Sequence, residues 1–392
     1  MHIAFVTTES PYGDTGGCGI AAYLRAIIPE IAEAGHRVSV FANAKEERVF
    51  SAAERISVHH FRLPSFHWQT ARVPLIRGMF PLPLRQLEWS KAFYRQVARV
   101  AAETPIDVIE STETGSMSLD RIAPLVIRLH GSEFTFRKHS GTTLNLSVRW
   151  NDKLEGYGCS RAAAITAPSQ YHANEITKRR GWLPERIQVI PNPISGTLMS
   201  AALQFQRNGS TERIVLYTGR LAPVKGIETL LAAAKLVHRR DPSVSFVLVG
   251  PWQMPRPPEV YGLRLNQQSI DGVRWMGPLD QKTLISWYQR AALLAAPSYY
   301  ESFGLSVVEA MAFGLRIIAT ETSGVVETLG DKTPISVIPK GDPEALADEV
   351  IRCMSTPVNP QQRDAARQHV FGNFAADRVS EATLKVYESI RK

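Results

Sequence analysis

The 392-residue chain carries only three cysteines, Cys18, Cys159 and Cys353, far apart and with no CxxC pair. Such a set supports neither a disulfide framework nor a zinc site, and a reducing compartment fits it best. No stretch approaches the roughly 18 apolar residues of a membrane-spanning helix. The start, MHIAFVTTES, lacks a basic segment followed by a long apolar one. These absences predict a cytoplasmic protein, at most peripheral on the inner face of the membrane. Also missing are a Walker A loop, a DxD motif to bind a divalent ion, short-period repeats and low-complexity tracts. No metal and no tightly held cofactor are expected.

What is present is the composition of a globular protein, 44% hydrophobic and 21% charged, which argues against disorder. The length exceeds one ordinary domain and suits two. Lysine and arginine number 45 against 37 acidic residues, a net charge of +8. That excess suits an anionic partner: a phosphorylated metabolite, an anionic membrane or nucleic acid. No nucleic-acid reading motif accompanies the charge, so nucleic acid is set aside.

Short β-branched and apolar runs alternate with amphipathic helical stretches from end to end. The first set of strands is expected at 3–7, 38–41, 56–61, 108–110, 126–129, 165–167 and 187–190. A second set follows at 214–218, 246–249, 273–276, 293–296, 316–319 and 336–338. Helical patterns fill the gaps, for example at 21–34, 229–238 and 305–313. Apolar strands alternating with helices indicate parallel sheets covered on both faces, and two sets imply two Rossmann-like domains. The prolines of Pro191-Asn192-Pro193 can continue neither helix nor ladder and mark the boundary. Domains of 1–192 and 193–374 result, with a last amphipathic helix over 375–392 that caps the second domain or packs back on the first.

The most informative run follows the strand at 293–296. Pro297-Ser298 leads into Glu301-Ser302-Phe303-Gly304-Leu305, a strand-to-helix turn, with Glu309 inside the apolar helix beyond. Ligands of open parallel sheets sit outside the carboxyl ends of strands, where such turns are. Amides at a helix start and the dipole favour phosphate or hydroxyl acceptors there. A carboxylate inside an apolar helix needs donors, and vicinal ribose hydroxyls would supply two. The bland alternative is that Glu309 caps or pairs structurally. A second strand-to-helix turn, Gly219-Arg220-Leu221-Ala222-Pro223-Val224-Lys225-Gly226, projects two cations suited to a diphosphate.

Together these two turns resemble the retaining glycosyltransferases of the GT-B fold, and within them family 4, whose paired glutamates are separated by seven residues. The resemblance extends to Gly16-Gly17 after the first strand, to Gly35-His36-Arg37-Val38, and to His130-Gly131 at a strand end. It implies two Rossmann-like domains facing each other across a cleft, the first binding the acceptor and the second the nucleotide-sugar donor. Arg220 and Lys225 would neutralise the donor diphosphate, Glu301 would bond sugar hydroxyls, and the amides of Phe303, Gly304 and Leu305 would bind sugar and phosphate. Glu309 would hold the ribose, and Gly17 would offer its amide to the phosphate. His130 would sit beside the transferred sugar, and Gly250 and Met276 near the nucleotide. His130 is equally at home as a satisfied strand-end histidine, with Glu133 either orienting it or lying on the surface.

The implied activity is metal-independent transfer of a hexosyl unit from UDP- or GDP-hexose. The acceptor is a sugar, a lipid-linked glycan or a small molecule. Retention is reached either by same-face attack with a phosphate oxygen taking the proton, or through a covalent carboxylate intermediate; Glu301 reads better as a hydroxyl ligand. The chain departs from the family's common "PNGVD" at Pro191-Asn192-Pro193-Ile194-Ser195. Competing readings are a nucleotide-sugar epimerase, a GT-B phosphorylase and an NAD-dependent oxidoreductase. The last rests on Gly17-Cys18-Gly19-Ile20-Ala21-Ala22. That segment stands about nine residues from its strand, where the dinucleotide turn is tight, and no acidic ribose ligand ends the next strand. Finally, the block from Arg72 to Arg99 interleaves cations with apolar side chains. It could touch an anionic membrane or an anionic acceptor, or form a solvated face.

Overall fold

The computed structural model describes residues 1–13, 19–67, 79–207, 212–269, 271–321, 324–329 and 335–391. Gly16, Gly17 and Cys18, and with them Arg72 and Arg77, lie outside the described residues. The chain divides into two compact units: Met1–Asn192 with Ala376–Lys392, and Pro193–Ala375.

The first unit contains β1 (His2–Thr7), β2 (Arg37–Asn43), β3 (Arg48–Ala53), β4 (Ile56–Phe61), β5 (Val108–Ser111), β6 (Leu125–Arg128), β7 (Ala164–Ala167) and β8 (Gln188–Val189). Their spatial order is β3-β4-β2-β1-β5-β6-β7-β8. Every pairing is parallel except β3 with β4. All six residues of β1 are buried, as befits a central parallel strand covered on both faces. Ile3 and Phe5 pack on one side with the helix Gly19–Glu33, and Ala4 and Val6 on the other with Phe93 and Val97 of the helix Pro81–Glu103. The last helix, Ala376–Ile390, packs against the helix Gly19–Glu33, so it belongs to the first unit. Its Tyr387 hydroxyl donates to buried Glu110 at 2.7 Å. Strand β3 has no counterpart in the sequence reading. Its residues are almost all exposed at the sheet edge, and an exposed edge strand leaves no apolar run to detect.

The second unit contains β9 (Ile214–Thr218), β10 (Ser245–Val249), β11 (Val273–Trp275), β12 (Leu293–Ala296), β13 (Arg316–Thr320) and β14 (Ile335–Ile338), in the order β11-β10-β9-β12-β13-β14 and all parallel. Successive strands run outward from β9 to one edge, and the chain then returns to the other side through β12. The order therefore reverses between β9 and β12. This switch point is where the crossover helices leave opposite faces of the sheet and open a crevice above the strand ends. The two turns singled out in the sequence both leave the sheet there. Among the described residues no helix is long and apolar enough to cross a membrane.

Candidate functional site

Strand β9 emerges from the core at Gly219. A side chain on Gly250, at the end of neighbouring β10, would meet the Gly219 carbonyl oxygen at 1.9 Å, so the two loops touch backbone to backbone. The Gly219 amide donates to the Val249 carbonyl at 2.9 Å. Half-buried Arg220 follows, its carbonyl accepting from the Tyr217 hydroxyl at 2.7 Å. A single 3-10 turn, Pro223–Lys225, then ends at Gly226, which precedes the helix Ile227–Arg240. Gly226 has φ +69°, and a Cβ there would stand 2.0 Å from the Pro297 carbonyl oxygen at the end of β12. Only glycine lets the cationic loop lie against the next one. The Tyr299 amide completes the junction by donating to the Val224 carbonyl at 2.8 Å.

The locked loops bring Lys225 Nζ to 2.5 Å from Glu301 Oε2, with the two side chains only 14% and 18% exposed. Ser298 Oγ adds a long bond to the same oxygen at 3.4 Å. The Glu301 carbonyl accepts from the Gly324 amide at 2.9 Å. Gly304, at φ +87°, heads the helix Leu305–Ala312, and no side chain caps that helix start. Phe303 is buried in the core.

One helical turn on, Glu309 is half-buried and accepts a 2.7 Å bond from the Tyr288 hydroxyl. Tyr288 Oη also lies 3.0 Å from Thr218 Oγ1 at the end of β9, and its ring stacks on Phe313. Burial, followed by the neighbouring Glu309 charge, raises the Tyr288 pKa well above 10, so the phenol stays a donor. Tyr288 went unnoticed in the sequence because it sits among ordinary apolar positions of the helix Gln281–Arg290, and its partner comes from a later segment. Gly250 and half-buried Met276 close this end of the sheet: the Gly250 amide donates to the Gly277 carbonyl at 2.8 Å, and the Met276 amide to the Leu248 carbonyl at 2.9 Å. Arg220, Lys225, Gly250, Met276, Glu301, Phe303, Gly304, Leu305 and Glu309 thus all belong to the second unit, and they cluster at the carboxyl ends of its strands or in the turns and helix that follow. Two cations and two carboxylates, with Lys225 and Glu301 held to each other and Glu309 braced by Tyr288, form a set suited to a diphosphate carrying hydroxylated groups. Among the described residues no group of three or more His, Cys, Asp or Glu side chains could hold a metal ion.

His130 lies in the first unit, beyond the end of β6. The Gly131 amide donates to Glu113 Oε1 at 3.1 Å and the His130 amide to Oε2 at 3.4 Å. Glu113 is therefore the carboxylate that shapes this turn, from a buried position after β5. Glu133 is engaged instead with Arg137 at 2.7 Å. The His130 ring meets Tyr23 edge to face at 5.4 Å. Burial, then the charge of Arg128 and the neighbouring His172, holds its pKa well below 6.5, so the ring is neutral near pH 7. Arg128 is 1% exposed, stacks over Tyr23, and donates to the Ile190 and Pro191 carbonyls and to Asn192 Oδ1. Asn192 of the departing boundary segment is thereby used as a structural acceptor.

Two α/β sheets, the first parallel but for its edge strand β3 and the second wholly parallel with a cationic loop and a paired carboxylate at its switch point, are the architecture of a GT-B glycosyltransferase. Residues 17–195 match the family described as Glycosyltransferase Family 4, and residues 201–369 match Glycosyl transferases group 1. The chain belongs to these glycosyltransferases. The D-inositol 3-phosphate glycosyltransferase of Salinispora arenicola is 27% identical over 413 residues, covering 96% of this chain and 87% of that protein. Among solved structures, sucrose-phosphate synthase from Thermosynechococcus elongatus superposes with a TM-score of 0.76 at 22% identity, covering 100% of this chain and 99% of that one. Anabaena Alr3699/HepE in complex with UDP-glucose gives a TM-score of 0.66 at 19% identity, with 99% and 100% covered.

Proposed function

We propose that the protein transfers a hexosyl unit from UDP- or GDP-hexose to an acceptor hydroxyl, with retention of anomeric configuration and without a metal ion. The observation that carries this reading is the Lys225–Glu301 contact at the switch point of the second sheet. It supports the reading because a cation suited to a phosphate and a carboxylate suited to sugar hydroxyls are hydrogen-bonded to each other, as a sugar joined to its phosphate would require. Arg220 and Lys225 meet the charge that grows on the leaving diphosphate, as preorganised donors stabilise a transition state. Glu309, steadied by Tyr288, takes the ribose hydroxyls, and the uncapped start of the helix Leu305–Ala312 faces phosphate or sugar oxygens. In the first unit Gly17, which lies outside the described residues, and His130, whose ring is neutral, keep the roles that the family resemblance implies for them.

In the proposed step the acceptor oxygen bonds to the anomeric carbon on the face from which the diphosphate departs. The bond from that carbon to the phosphate oxygen breaks, and a phosphate oxygen takes the acceptor proton. A carboxylate already bonded to Lys225 is a poor nucleophile, which supports Glu301 as a ligand rather than the site of a covalent intermediate. The test is nucleotide release from UDP-, GDP- and ADP-sugars, with and without candidate acceptors. The acceptors begin with polyol phosphates, suggested by the Salinispora relative, and continue with lipid-linked glycans. NMR then assigns the anomer formed. Acceptor-dependent release with a retained anomer is expected; an inverted product, or a glycosyl adduct trapped on Glu301, overturns the proposal.

A further inference from the structure

The helix Pro81–Glu103 turns Phe93 and Val97 into the first unit's core, while Leu87, Lys91, Arg95 and Arg99 are exposed. These four recur every fourth residue, so they form one outward stripe. The neighbouring helix Leu146–Ser160 packs against it: the Leu82 amide donates to Ser147 Oγ at 3.0 Å, and the rings of Phe80 and Trp150 meet edge to face. This second helix exposes a stripe of its own, Leu146, Arg149, Trp150, Lys153 and Tyr157. Phe93 of the first helix and Cys159 of the second share one core cluster, so both helices cover the same face of the sheet. Their outward stripes therefore lie on one side of the unit.

The chemistry of that side is unusual for a solvated face. Leu87, Leu146, Trp150 and Tyr157 are each 43–51% exposed. Between them stand five cations, none of which forms an ion pair among the described residues. The acids nearby are turned to other partners: Glu88 to His67, Asp152 to Arg179 and Arg180, and Asp120 to Arg161. Glu103, at the far helix end, is exposed and forms no ion pair among the described residues. Exposed Trp and Tyr among unpaired Lys and Arg are the combination that lies in the headgroup layer of an anionic bilayer, rings in the interface and cations on the lipid phosphates. We propose that this two-helix face docks the protein on an anionic membrane surface. The block read from the sequence at 72–99 contributes only one of the two helices. Trp150, Lys153 and Tyr157 complete the face from some sixty residues further on. The docking does not depend on which sugar or acceptor the enzyme uses.

The full chain is sedimented with phosphatidylcholine vesicles containing about 30 mol% phosphatidylglycerol, and with pure phosphatidylcholine, at low and at moderate salt. Binding only to the anionic vesicles, weakening with salt, is expected. Each cation near an anionic surface contributes about fivefold to partitioning, so the variant Lys91→Gln/Arg95→Gln/Arg99→Gln loses about a hundredfold. Arg149→Gln/Lys153→Gln, on the other helix, loses about twenty-fivefold by the same measure. Trp150→Ala weakens binding by a factor that salt does not change. All these side chains are exposed, and an unchanged melting temperature confirms that folding is intact. Equal binding to neutral vesicles, or unaltered binding by both charge variants, overturns the proposal. So does retention on heparin or RNA without binding to vesicles.

Discussion

Replacing Glu301 by Gln removes the carboxylate that holds Lys225 at 2.5 Å while keeping the size of the side chain. If Lys225 serves the donor diphosphate and Glu301 the sugar, the two measurable consequences have opposite signs. The lost carboxylate no longer repels the diphosphate: at an effective dielectric of 20, a charge about 8 Å away costs about 2 kcal/mol, and screening halves that. Affinity for UDP or GDP then rises about fivefold. Turnover falls, because a charged hydrogen bond to a sugar hydroxyl contributes about 1.5–3 kcal/mol, or roughly 10–100-fold in rate. The companion variant Lys225→Met strands a mostly buried carboxylate. Breaking a buried pair costs about 3–5 kcal/mol, and the partial exposure of this one lowers that to about 1–3 kcal/mol. For a unit of this size the melting temperature falls by roughly 3–10 °C. The double variant recovers most of the loss. Titration calorimetry with the free nucleotide, steady-state kinetics and thermal melts read all three. Nucleotide affinity that falls together with turnover in Glu301→Gln would refute the division of roles. A double variant as unstable as Lys225→Met alone would refute the coupling.

Tyr288→Phe removes the hydroxyl that Glu309 accepts from and Thr218 lies against, and it lowers stability by about 1–3 kcal/mol. It also weakens nucleotide binding, and that penalty shrinks when the ribose hydroxyls are absent, which titration with a 2′,3′-dideoxynucleoside diphosphate measures. Buried Glu155 titrates near pH 7 rather than 4.5, raised by burial and then by the charge of Glu113. The folded state therefore holds a proton that the unfolded chain releases, and the stability this confers below pH 4.5 is lost as pH rises through 7, about 3 kcal/mol in all. Urea melts at about pH 5.5 and about pH 8 should show the fall, and Glu155→Gln should flatten it. His130→Ala should cut turnover about tenfold through one lost neutral hydrogen bond. Because His130 is held neutral, the pH–rate profile of the unaltered enzyme should show no step near 6.5 from this residue.

How far the sequence discloses the site depends on how local each contact is. The strand-to-helix turns at 219–226 and 297–305 are local, and glycine, proline and charge mark them. Their consequence is not local. Gly226 is required by the Pro297 carbonyl, and no spacing rule anticipates that one loop leans on another more than seventy residues later. Tyr288 behind Glu309 and Glu113 behind His130 are long-range partners of the same kind, chosen by topology rather than motif. The exposed edge strand β3 was hidden for the opposite reason: it buries almost nothing, so it imposes almost no pattern. The separation of the membrane-like face into two helices became visible only once the packing of Phe80 on Trp150 was known.

The bond from Tyr387 to Glu110 ties the last helix of the chain into the core of the unit that is synthesised first. At about 5–20 residues per second, Tyr387 leaves the ribosome roughly 10–40 s after the boundary at Asn192. During that interval Glu110 has Tyr23 but not Tyr387, and the apolar face awaiting Val379 and Val386 is uncovered. The second unit has everything it needs earlier, since its residues are contiguous. Order of synthesis and order of completion are therefore reversed: the unit begun first stays open until the helix Ala376–Ile390 supplies Val379, Val386 and Tyr387.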